Sequence, residues 1–98
     1  MPGNLRELII ITVGRHWGAQ YEWFAHAALA EEEGVSPAAV ERLRNRQMPD
    51  PLSDDERLVY ELASEILQTG RLLDASYARG VGRLGPELMV ELVGLCGY

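Results

Sequence analysis

The segment SDDERLVYELASEILQTG, residues 53 to 70, constrains the fold more than any other part of the chain. Ser53 and Glu56 stand in capping-box register, acidic residues fill the first turn, and Gly70 is placed to stop the run. Between them Leu58, Val59, Leu62, Ala63, Ile66 and Leu67 recur at helical spacing and form one apolar stripe. Such a stripe must be covered by other elements, and the rest of the chain offers helices for the purpose.

NLRELIIITVGRHWG reads as a helix over 5–17, with Asn4 and Glu7 spaced as a capping box and Gly18 closing it. Ile9, Ile10 and Ile11 make it apolar nearly all round, which predicts a central position in the domain or a place at a subunit contact. A second helix is expected over 19–33, with Gly34 as its stop. In VSPAAVERLRNRQ, Ser36 is the expected N-cap and Pro37 the first helical residue. Ala39, Val40 and Leu43 then face inward, and Arg42, Arg44 and Arg46 form a solvated edge. MPDPL, residues 48 to 52, is a connector, because neither proline can continue a helix. Asp74 is the expected cap of a fifth helix ending near Leu84, and Gly85-Pro86 opens a sixth that is apolar from Leu88 through Leu95. GVSPAAVERL and RLGPELMVEL echo each other faintly, each a glycine before a proline-started helix. The expectation is an all-α single domain over residues 1–98 with about six helices.

Composition narrows the function. A net charge of −6 argues against nucleic-acid and anionic-membrane partners, which require clustered positive charge. All nine basic residues are arginine, so a Schiff-base lysine and a Walker-type loop with its lysine drop out. The lone cysteine, Cys96, has no internal disulfide partner, and the default expectation is a cytoplasmic protein. MPGNLRE has no signal pattern, and LIIITV falls far short of the roughly 20 apolar residues that span a bilayer, so neither export nor membrane insertion is expected. A chain of 98 residues hides a smaller fraction of its surface than a larger domain would, and the apolar run LMVELVGLCGY adds a face that favours homo-oligomerisation.

The candidate chemistry lies in GAQYEWFAH, where Glu22 and His26, four apart, share one face of the second helix. A carboxylate beside an imidazole can fix its tautomer and support proton exchange near neutral pH. The alternative is a surface pair contributing a few tenths of a kcal/mol to the helix. Glu7 has its own alternative as the capping-box partner of Asn4. His16, in the last turn of the first helix, suits the helix dipole. No spacing among His16, His26, Glu7 and Glu22 matches a known metal motif, so no metal is expected.

The pattern of RELIIITVGRHWGAQYEWFAHAALAEEEGVSPAAVERL, with the later LVYELASEIL and ELMVELVGLCGY, resembles the carboxymuconolactone decarboxylase family, whose relatives include the alkyl hydroperoxidase D-like proteins. In the peroxidase branch a glutamate is followed by two cysteines and a histidine at set spacing. On this chain the glutamate falls on Glu7 and the histidine on His26, while the cysteine positions hold Ala19 and Glu22. Peroxide turnover needs an attacking thiolate and a resolving thiol, and neither position supplies one. The decarboxylase-like branch, in which a glutamate commonly precedes the histidine by four, is the better match.

The resemblance implies an alkyl hydroperoxidase D-like helical bundle, trimeric or hexameric with sites at subunit contacts, acting without a cofactor on a small carboxylated lactone or similar metabolite. Loss of CO2 would leave an enolate-like carbanion to be stabilised and protonated. His26 is then the proton donor, Glu22 its orienting group and Glu7 a second relay carboxylate. Arg6 or Arg15 is the candidate for a two-pronged grip on the substrate carboxylate. Two other readings stand beside this one: a non-catalytic helical oligomer derived from the family, and a thiol peroxidase working through Cys96 or a partner protein.

Overall fold

A computed structural model describes residues 1–97 and contains six helices, with no strand among the described residues. These are α1 (Gly3–Trp17), α2 (Gln20–Glu32), α3 (Pro37–Arg44), α4 (Asp54–Thr69), α5 (Asp74–Leu84) and α6 (Pro86–Leu95). The capping box predicted for α4 is fully formed: Glu56 N–H donates to Ser53 Oγ at 3.2 Å, and Ser53 N–H donates to Glu56 Oε1 at 2.8 Å. Its stripe of Leu58, Val59, Leu62, Ala63 and Ile66 is buried.

The apolar α1 is the centre of the domain, packing against α2, α3, α4 and α6. Leu5, Leu8, Ile9 and Ile11 are almost fully enclosed. Its start differs from the sequence expectation. The helix begins two residues early, the N-cap position is Pro2, and no side chain caps it. Asn4 does not pair with Glu7; its Nδ2 donates to Glu56 Oε2 at 3.1 Å. The tertiary acceptor wins because Asn4 lies inside the first turn, where its side chain points toward α4 and away from the helix end. Gly18 closes α1 in the left-handed region at φ 70°, as expected.

α1 and α2 form an antiparallel hairpin, with residue 14 beside residue 22 and residue 7 beside residue 26. At Gly14 the helices come close, since an added Cβ would lie 3.6 Å from the Cβ of Glu22. Pro37 and Pro86 stand at the first turns of α3 and α6, as predicted. Ser36 occupies the N-cap position of α3 without a side-chain hydrogen bond. Asp74 is the first residue of α5 and not its cap, that position being Leu73.

The expected apolar face at the C-terminal end is largely internal. Met89, Leu92 and Cys96 are buried where α6 meets α1, α4 and α5, leaving Val90 as the exposed large side chain; Tyr98 lies outside the described residues. The larger apolar surface is on α2, where Tyr21, Phe24 and Leu29 are exposed, with Ala25 and Ala28 between them. No helix among the described residues is long and apolar enough to cross a membrane.

The turn from α4 to α5 is held by Glu65, whose carboxylate accepts from Leu73 N–H at 2.9 Å and from Ser76 Oγ at 2.8 Å. The Leu73 amide, then the Ser76 hydroxyl, hold the Glu65 carboxyl below its ordinary value of 4.5. A depressed folded-state pKa contributes stability that is present above the unfolded value and is lost as pH falls through the folded one. A Glu65→Gln variant is expected to melt at a lower Tm than the parent at neutral pH, with the gap closing as the pH falls below the carboxylate range. Thermal denaturation followed by circular dichroism over that range checks this.

Candidate functional site

The hairpin of α1 and α2 brings together three side chains that the sequence singles out. Glu7 projects from α1 and is mostly enclosed, its side chain being 12% exposed. Its Oε2 lies 2.7 Å from Nδ1 of His26 on α2. Glu22, one turn before His26 on α2, lies with Oε2 3.5 Å from Nε2 of the same ring. One imidazole therefore stands between two carboxylates, each facing a different ring nitrogen.

The distances differ enough to separate the roles. At 2.7 Å Glu7 is at charge-assisted hydrogen-bond distance, and an ionised carboxylate can only accept, so Nδ1–H is the donor. The separation to Glu22 exceeds the usual N–H···O range, and its side chain is 55% exposed. Spacing along α2 suggests Glu22 as the orienting group, whereas the distances give that role to Glu7. With Nδ1 carrying the proton, Nε2 of the neutral ring is free to accept one, and after protonation it faces Glu22. Glu7 had a local explanation as a cap; its hydrogen-bond partner is His26. His16 is exposed at the end of α1, edge-on to Trp17 with ring centroids 4.7 Å apart.

An apolar groove of about 230 Å³ borders Glu22, walled by Ile10, Val13 and Trp17 of α1 with Leu95 of α6. Arg6 is exposed and shares the α1 face of Ile10, Val13 and Trp17 by its spacing of four, seven and eleven residues. Arg15 takes a different direction. It lines a cavity of about 240 Å³ at the start of α2, in which Glu7, Glu22 and His26 have no part. No spacing within one helix signals this cavity, whose walls come from α1, α2 and the end of α3. The described residues contain no group of three or more His, Cys, Asp or Glu side chains placed to hold a metal ion.

Cys96 is buried, and burial pushes its thiol up to about 11. It is the only cysteine, so no second thiol stands by to resolve an oxidised form.

The hydrogen bond that His26 Nδ1–H donates to Glu7 fixes the ring's tautomer. Long-range 15N NMR of the neutral protein is expected to show His26 in the Nδ1–H form, and Glu7→Ala is expected to release it to a mixture with the Nε2–H form. The same replacement leaves a half-buried donor unpaired, at a cost of about 1–3 kcal/mol in chemical denaturation. A parent protein with His26 in the Nε2–H form would remove the orienting role from Glu7.

No family model matches this chain, and neither the curated proteins nor the solved structures gave a match.

Proposed function

We propose that this chain carries out cofactor-free acid-base chemistry, decarboxylation or proton transfer, on a small carboxylated lactone or similar metabolite, as its resemblance to the carboxymuconolactone decarboxylase family implies. The observation that carries this reading is the imidazole of His26 held between Glu7 and Glu22. In the proposed reaction the bond to the departing carboxylate breaks and its electron pair flows into a conjugated carbonyl. CO2 leaves, and the resulting carbanion takes the proton from Nε2 of His26. Glu7 holds the ring through Nδ1, and Glu22, open to solvent, returns a proton to Nε2. The apolar groove beside Glu22 suits the body of such a substrate, and Arg6, on the same face of α1, is the candidate partner for its carboxylate. The setting proposed is the cytoplasm, in keeping with a lone, unbridged cysteine.

Within the same reading the chain adopts the alkyl hydroperoxidase D-like arrangement and assembles as a trimer or hexamer, a neighbouring copy covering the groove. A non-catalytic oligomer is the second reading, favoured by the outer stripe of α2, where Tyr21 is 83% and Phe24 64% exposed. A thiol peroxidase is disfavoured by the buried, protonated thiol of Cys96 and by its lack of a partner.

On a panel of carboxylated lactones, His26→Ala is expected to lower turnover by about 10²–10⁴-fold, the range for a positioned acid or base. Helix content and oligomer size should be unchanged. No turnover by the parent protein, or equal turnover by the variant, would discard the enzyme reading. Sedimentation separates the oligomer from it: Tyr21→Glu with Phe24→Glu is expected to dissociate the assembly. A parent protein that sediments as single chains would discard assembly through α2.

A further inference from the structure

The cavity at the start of α2 stands apart from Glu7, Glu22 and His26. It is lined by Gly14, Gly18 and Ala19, by Trp23 and Phe24 of α2, and by Arg15 and Arg44. The Nε of Arg15 is buried without any hydrogen-bond partner, the only buried side-chain polar atom so left among the described residues. A buried guanidinium donor without an acceptor is costly, and no protein group among the described residues supplies one.

Charge at this end of the molecule points the same way. The arginines that form ion pairs among the described residues are Arg44, Arg57, Arg79 and Arg83, and the one at the cavity, Arg44, meets Glu41 only at 3.9 Å. Arg15 has no carboxylate within ion-pair distance among the described residues, and the adjoining cavity that it also lines adds Arg46. In a chain of net charge −6 this is a local reversal of sign, which attracts small anions while the rest of the surface repels large polyanions. α2 also begins here without a side-chain cap, leaving first-turn N–H groups with no side-chain acceptor.

We propose that this cavity is a binding site for a small organic carboxylate with a planar unsaturated or aromatic body. Arg15 and Arg44 hold the carboxylate, and Trp23 and Phe24 take the body. Arginine suits a carboxylate through paired donors, and its planar group also stacks on rings. The volume of about 240 Å³ lies below the ~300–1,000 Å³ of drug-sized pockets, which limits the ligand to about one ring. The site shares no residue with Glu7, Glu22 and His26, so it does not depend on the proposed reaction.

Benzoate is a suitable probe, with benzyl alcohol as the uncharged match and inorganic phosphate as the bodiless anion. Trp17→Phe removes the indole outside this cavity and leaves Trp23 as sole reporter. Benzoate is expected to quench its fluorescence saturably, benzyl alcohol not at all, and phosphate to compete at least tenfold more weakly. Arg15→Gln should weaken benzoate at least tenfold and Arg44→Gln severalfold, each with unchanged circular dichroism, while His26→Ala leaves it unaltered. Arg44 is exposed, so its variant tests the site even if the Arg15 variant fails to fold. Absence of saturable quenching, equal binding of benzyl alcohol or phosphate, or unchanged affinity in Arg44→Gln overturns the assignment.

Discussion

Enclosure of α1 on nearly every side is the constraint from which the rest of this structure follows. Burying a large aliphatic side chain contributes about 1.5–3 kcal/mol, and α1 buries Leu5, Leu8, Ile9 and Ile11. Once the helix is central, any polar group on its inner faces must find a partner within the protein. Thr12 turns back to the Leu8 carbonyl at 2.7 Å, and Glu7 reaches across to His26. The pairing that makes the site chemically interesting is thus also what permits a carboxylate on a buried helix.

Elements whose signals are local were readable from the sequence. The box at Ser53 and Glu56, the left-handed stops at Gly18 and Gly70, and the prolines opening α3 and α6 depend on neighbours within a few residues. Signals that compete with tertiary partners were not. Asn4 and Glu7 have capping spacing, yet each has a better partner on another helix, which spacing along one helix cannot reveal. α2 carries Tyr21, Trp23 and Phe24 together, and only contact with α1 decides that Trp23 turns inward while the other two stay outside. The pairing of Glu22 and His26 follows from helical spacing, but the closer role of Glu7 needed the hairpin.

The seam between α1 and α2 separates two environments. Toward Ile10, Val13 and Trp17 it is apolar with Glu22 at its edge; toward Arg15 it is basic with aromatic walls. Gly14 borders both, and a methyl group there would meet the Glu22 Cβ at 3.6 Å, an ordinary contact distance. Arg15 therefore lines the basic side, apart from the His26 ring.

Glu56 gives two helix starts a common acceptor. One of its oxygens receives the Ser53 amide and the other the Asn4 amide group, across 52 residues of sequence. Ordinarily the ends of separate helices fray independently, as small local openings. Here, release of either end takes away a restraint on the carboxylate that steadies the other. The openings of the first turns of α1 and α4 become statistically correlated, so their amide protons belong to one cooperative unit although they lie in different halves of the chain.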